Sequence, residues 1–113
     1  MNNKVNIQVP PKITDEGYLK LVRGDFCTCA RIFQPEILFW NWGYDGTRGE
    51  YGDMGLTSKF HILLARELKT LVDEICQGRI IVALCGGSRR GLARDLIPKI
   101  IGVLAEKESQ IAF

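Results

Sequence analysis

The sequence holds a single histidine, His61, among 113 residues. Catalytic zinc takes about three protein ligands and keeps one position open, so one imidazole argues against a self-contained zinc hydrolase site. Charge of one sign is scarce too. Fifteen basic and 13 acidic residues leave a net charge of +2, too small an excess to expect nucleic acid or an anionic membrane as partner. Aromatic and arginine residues do not interleave as an RNA-binding surface requires. No apolar run approaches the roughly 18 residues of a membrane span, and Met1 to Pro10 has no apolar signal core. We therefore expect a cytoplasmic protein with no membrane partner. The Walker spacing, the dinucleotide G-x-G-x-x-G and the G-x-S-x-G elbow are all absent. Four cysteines are present. Cys76 and Cys85 sit in apolar runs and read as small core residues. Cys27 and Cys29 form a C-x-C on a helical stretch, where i and i+2 face different ways, which favours reduced thiols over a metal site.

What remains is an ordinary globular composition, 46% hydrophobic and 25% charged. The length fits one domain, residues 1–113, which buries roughly two-thirds of its unfolded surface without needing a disulfide or structural metal. Val5, Ile7 and Val9 alternate with polar residues, as a short strand does, and Pro10-Pro11 ends it. Thr14 suits an N-cap and Asp15-Glu16 the positive end of a helix. That helix runs to Pro35, weakened by Gly17 and Gly24. The run from Glu36 to Trp42 reads as a strand buried on both faces. A glycine-rich loop spans Gly43 to Leu56. A second helix, capped by Thr57 or Ser58, carries the apolar stripe Phe60, Leu64, Leu68, Leu71, Val72 and Ile75 to about Cys76. Arg79 to Cys85 reads as another buried strand, turning at Gly86-Gly87. A third helix runs from about Arg89 to Ala105, with a kink or late restart at Pro98. The tail after Glu106 is polar and expected to fray.

Alternating strands and helices predict a three-layer α/β fold, a parallel sheet with right-handed crossovers and helices on both faces. Sites in such sheets form in loops at the carboxyl ends of the strands. Two loops qualify. In the first, Asp45 follows a strand and is flanked by Gly43 and Gly46. A carboxylate there can bind a metal or orient a base; an Asx-turn explains it equally well. Glu50 and Asp53 read as solvated loop acids. In the second, Gly86-Gly87 before a helix N-terminus can offer backbone amides to an anion, with Arg89 and Arg90 adding positive charge. A plain strand-to-helix turn fits as well. His61, in the first helical turn, reads as a surface or capping residue rather than a ligand.

Several stretches together resemble the histone deacetylase and acetylpolyamine amidohydrolase family, which includes acetoin utilization proteins. Pro35 to Asp45, PEILFWNWGYD, resembles the family's P-D, apolar strand, S-x-G-F-D-A-H. Arg48-Gly49-Glu50 resembles its R-G-D, and Gly55-Leu56-Thr57 its L-x-L-T. Ile80 to Gly87 resembles the strand ending L-E-G-G-Y. Val9-Pro10-Pro11, Asp15 and Tyr18-Leu19 resemble L-P-P-G-T-x-D-x-x-Y-L. The match keeps register from about Asn6 to Ala105 and covers the C-terminal part of the family domain. The resemblance implies the arginase/deacetylase fold and metal-assisted hydrolysis of acetyl amides of lysine or polyamines. It places Asp45 at a zinc ligand, and Gly43, Tyr44, Gly86 and Gly87 along the pocket.

The departures from the family pattern lie at the chemistry. Ser88 stands where the family has the tyrosine that would stabilise an oxyanion, and Thr47 stands at the histidine after G-F-D-A. The family's other aspartate and histidine ligands and its two general-base histidines have no counterpart here. The expectation is a deacetylase-like domain inactive as an isolated chain, with zinc as the cofactor if any binds. The alternatives are a non-catalytic binding or scaffold domain, or a small anion-binding α/β protein. The resemblance also separates the Val5–Val9 strand from the other two in the sheet. Exposed sheet edges invite pairing, so self-association or a companion subunit is expected.

Overall fold

The structure, a computed structural model, describes residues 4–106. Thr14 caps the first helix, α1 (Asp15–Leu21): its side-chain oxygen accepts the Gly17 N–H at 3.0 Å. Asp15 and Glu16 follow in the first turn, where the helix dipole favours negative charge. Losing this cap in Thr14→Ala should lower unfolding free energy by ~1 kcal/mol, measured by urea titration.

The helix does not continue regularly. Val22–Cys27 winds as a π-helical segment before α2 (Thr28–Phe33) resumes, and Gly24 lies inside it. Gln34, in the left-handed region at φ 56°, ends α2. Ion pairs from Arg23 to Glu67 (2.6 Å) and Arg31 to Glu74 (2.8 Å) tie this arm to α3 (Ser58–Ile75). Arg23, Arg31 and Glu74 are about half exposed, so we assign these pairs register more than stability.

β1 (Leu38–Gly43) and β2 (Ile80–Gly86) form a two-stranded parallel sheet, from Leu38 opposite Ile80 to Trp42 opposite Leu84. The register then slips, so that Gly43 meets Gly86 and Cys85 is the extra residue of a bulge. One face of the sheet, Leu38, Trp40, Trp42, Ile80 and Val82, packs on α3 and α4 (Arg90–Leu104). Leu38 joins Leu19, Leu56, Phe60, Leu64, Leu68 and Val72 in one cluster; Trp42 and Tyr44 join Ala65, Leu96, Ile100 and Val103 in another. Each such side chain fully buried contributes roughly 1.5–3 kcal/mol.

The parallel α/β architecture is as expected, with four corrections of detail. Val5–Val9 takes no regular secondary structure and has no ladder partner among the described residues, so it forms no strand. Neither strand is buried on both faces: Phe39, Asn41, Ile81 and Ala83 stand exposed, with no helix over them among the described residues. Of the kink or late restart expected at Pro98, the restart is absent, since α4 runs through the proline. Cys85 is exposed rather than core, because the bulge takes it out of the packed register; Cys76 is buried as expected. The polar tail after Glu106 lies outside the described residues. No helix among them is long and apolar enough to cross a membrane.

Candidate functional site

Both candidate loops meet at the carboxyl edge of the sheet. The Gly43–Leu56 loop is held by its own backbone: Gly52 N–H donates to Asp45 O (3.0 Å), Met54 N–H to Gly46 O (2.9 Å), and Arg48 N–H to Leu56 O (2.8 Å). The Asp53 carboxylate braces it further by accepting Gly49 N–H (2.9 Å) and Gly55 N–H (2.8 Å). Those two bonds hold its carboxyl below the usual carboxylate range.

Asp45 sits in a cradle of glycines. A Cβ on Gly43 would come within 2.6 Å of Asp45 Oδ1, one on Gly86 within 2.8 Å, and one on Gly52 within 3.1 Å of Oδ2. The three bare backbones leave the space that the carboxylate fills. No side-chain or backbone hydrogen bond reaches that carboxylate among the described residues, so the Asx-turn reading finds no support. Gly43, Tyr44, Gly86 and Gly87 all lie at this edge. Tyr44 is buried beneath Gly87, and its N–H donates to Gly86 O at 2.9 Å.

Tyr51 was not singled out from the sequence. Its ring is 70% exposed, yet its hydroxyl accepts the Gly87 N–H at 3.0 Å. A Cβ on Gly86 would touch both that hydroxyl (3.2 Å) and Asp45 Oδ1 (2.8 Å), so phenol and carboxylate border the same small space. A second tyrosine within a glycine-rich loop was the available signal.

Glu50 corrects the expectation of a solvated acid. It is 5% exposed. Its carboxylate accepts the Ser88 N–H (3.1 and 3.0 Å), the Ser88 hydroxyl (2.7 Å) and the Arg89 N–H (2.7 Å). Desolvation pushes its pKa up, but the bonds from Arg89, Ser88 and Tyr51 prevail and hold it below the usual range. The negative charge also lies at the N-terminus of α4, where the dipole favours it. The two amides that an external anion would have used are thus donated to Glu50. The anion-binding reading is left with only the exposed guanidinium groups of Arg89 and Arg90. Ser88 is likewise engaged, its hydroxyl donating to Glu50.

His61 is a second correction: it is neither surface residue nor cap, but 2% exposed. The Trp42 indole N–H donates to its Nδ1 at 3.0 Å, and Thr47 Oγ1 lies 2.7 Å from its Nε2. Indole nitrogen can only donate. Nδ1 is therefore the bare nitrogen, and Nε2 carries the proton and donates it to Thr47. Burial lowers the His61 pKa to about 4, against the opposing pull of the Asp15 and Asp45 charges. The chain Trp42–His61–Thr47 pins the Asp45 loop to α3. Thr57 holds the N-cap position of α3, as expected, but gives its N–H (3.0 Å) and hydroxyl to the Asp15 carboxylate and makes no side-chain cap bond.

The donor set does not amount to a zinc site. Among the described residues no three His, Cys, Asp or Glu side chains converge as a metal would need. Both nitrogens of His61 are occupied, and Asp45 stands without a second ligand. Cys27 is buried and Cys29 exposed, in line with separate thiols.

A parallel α/β sheet with a carboxylate cradled at its carboxyl edge and a Gly-Gly turn beside it places the candidate site where ligands bind in open α/β domains. The chain belongs to the histone deacetylase family: the histone deacetylase domain matches residues 1–103. It is 27% identical over 84 residues to chloroplastic histone deacetylase 14 of Arabidopsis thaliana, covering 74% of this chain and 20% of that protein. It is 26% identical over 84 residues to a probable deacetylase of Archaeoglobus fulgidus, covering 74% of this chain and 23% of that one. The crystal structure of the HDA15 HD domain superposes with a TM-score of 0.68 at 20% identity, covering 88% of this chain and 28% of that chain. The chain thus spans under a quarter of these two relatives and just over a quarter of that solved domain.

Proposed function

We propose that this chain forms the Asp45-bearing part of a deacetylase-type site for acetyl amides of lysine or polyamines, completed by residues outside it. The observation that carries this reading is the Asp45 carboxylate, cradled by Gly43, Gly52 and Gly86 with no hydrogen-bond donor of its own among the described residues. Such a carboxylate is left able to meet a cation or a donor supplied from elsewhere. Asp45 would be one zinc ligand; Tyr44, Gly86 and Gly87 would shape the pocket wall, and the Tyr51 hydroxyl would border it. Ser88 is bound to Glu50 and takes no part in this reading.

A companion or scaffold domain without chemistry is the second reading, favoured by the absence of a converging ligand set among the described residues. The two separate cleanly. In the native assembly, Asp45→Ala should remove stoichiometric zinc and lower hydrolysis of acetyl-lysine peptide or acetylpolyamine by more than about 100-fold, beyond the usual cost of outer-shell residues. Full zinc content and turnover in the variant would overturn the deacetylase reading. An assembly with no zinc and no turnover even as wild type would establish the scaffold.

A further inference from the structure

We propose that the Tyr51 phenol is a catalytic hydrogen-bond donor, meeting the substrate's carbonyl oxygen as negative charge develops there. The inference rests on the deacetylase reading and deepens it. Amide hydrolysis is speeded most by a donor already in place at that oxygen. The amides and the serine of the Gly-Gly turn are already used. The Ser88 and Arg89 N–H groups go to Glu50, and so does the Ser88 hydroxyl. The Gly87 N–H goes to Tyr51, and the Gly52 N–H to Asp45 O. Thr47 is buried against His61, and Tyr44 is buried beneath Gly87.

Tyr51 differs from these groups in having a proton to give. A tyrosine hydroxyl both accepts and donates. Here it accepts the Gly87 N–H at 3.0 Å, and its own proton has no acceptor among the described residues. Accepting that bond polarises the O–H and strengthens it as a donor. The phenol is also held in place before any substrate arrives. Glu50, one residue before it, is pinned to the start of α4, and Gly52, one residue after it, is bonded to Asp45 O. The missing Cβ of Gly86 marks where the hydroxyl aims: that point lies 3.2 Å from the Tyr51 oxygen and 2.8 Å from Asp45 Oδ1. A small acyl group seated beside Asp45 therefore presents its oxygen to the phenol.

In the reaction, water adds to the carbonyl carbon and the C=O electron pair moves onto oxygen. The phenol donates a hydrogen bond to that oxygen and keeps its proton. The proton lost by water passes through a base outside this chain to the leaving nitrogen, as the C–N bond breaks and the C=O bond re-forms. In the native assembly, Tyr51→Phe should lower kcat for an acetyl-lysine peptide by about 100- to 1000-fold. KM and zinc content should stay at their wild-type values, because a donor used only in the transition state leaves substrate binding alone. The loss should be smaller on the trifluoroacetyl peptide, whose fluorines already draw charge off the oxygen. Full kcat in Tyr51→Phe, beside an active wild type, overturns this role and leaves the Asp45 reading standing. A raised KM with kcat kept, a loss of zinc, or an equal loss on both peptides also overturns it, and makes Tyr51 a brace for the Gly-Gly turn. A wild-type assembly without turnover overturns the deacetylase reading itself, and this role with it.

Discussion

Gly87→Ala is expected to lose a large share of the stability of the fold. Gly87 has φ +127°, and a Cβ there would lie 2.2 Å from Tyr44 Cε2 and 2.4 Å from Cδ2 and Cζ. Neither side of that clash can yield. Tyr44 is packed with Trp42 (ring centroids 5.7 Å apart), and its own N–H is bonded to Gly86 O. Gly87 is fixed in turn by the bond from its N–H to Tyr51. Backbone strain of ~1–3 kcal/mol and overpacking of ~1–3 kcal/mol together come to on the order of 4 kcal/mol. That is a large share of the roughly 5–15 kcal/mol that a domain has. Urea unfolding followed by circular dichroism measures it. Gly91→Ala is the control: an added Cβ there meets nothing within 4 Å and α4 surrounds it, so stability should hold or rise. A loss below ~1 kcal/mol in Gly87→Ala, less than either contribution alone, would refute the packing of this turn.

The contrast between Gly87 and Glu50 marks how far the sequence could be read. The helices α3 and α4 lie where the apolar stripes and the glycine punctuation put them, because 3.6-residue periodicity and caps are local signals. The two apolar strands were equally plain. Their one-sided burial was not, since a run such as Ile80–Cys85 looks the same whether or not this chain covers its second face. Val5–Val9 alternates correctly but lacks a neighbour, and a ladder is not a local property. The π-helical turn around Gly24 left only a weakened helix as its trace. In the site, Asp45 and the Gly-Gly turn were legible from their place after strands. Glu50 was not, because its partners Ser88 and Arg89 lie 38 and 39 residues away. A single acid in a loop carries no mark of which helix end will receive it. The same holds for His61, whose partners come from 19 residues before it in β1 and 14 before it in the loop.

Stability should fall as the medium is acidified from pH 6.5 to about 4, and His61 should account for it. The unfolded imidazole titrates near 6.5, whereas burial holds the folded one near 4. Within that window the unfolded chain binds one more proton than the folded chain. Unfolding free energy then drops by about 1.4 kcal/mol per pH unit, for a total of ~3 kcal/mol by the lower limit. Below about 4 this contribution levels off, because the folded imidazole is protonated too. Glu50 and Asp53 act elsewhere: their folded pKa values are depressed, so their contributions are present above the ordinary carboxyl range and fade as pH falls through the folded values. The slope between pH 6.5 and 5 is therefore the histidine's own. Protonation at Nδ1 removes the acceptor for the Trp42 indole, so tryptophan fluorescence should change with the same midpoint near 4. His61→Gln should be less stable than wild type at neutral pH yet flat between pH 6.5 and 5. A wild-type protein whose urea midpoint does not move across that interval would mean that the ring is solvated. The Asp45 loop would then be held to α3 by something other than the Trp42–His61–Thr47 chain.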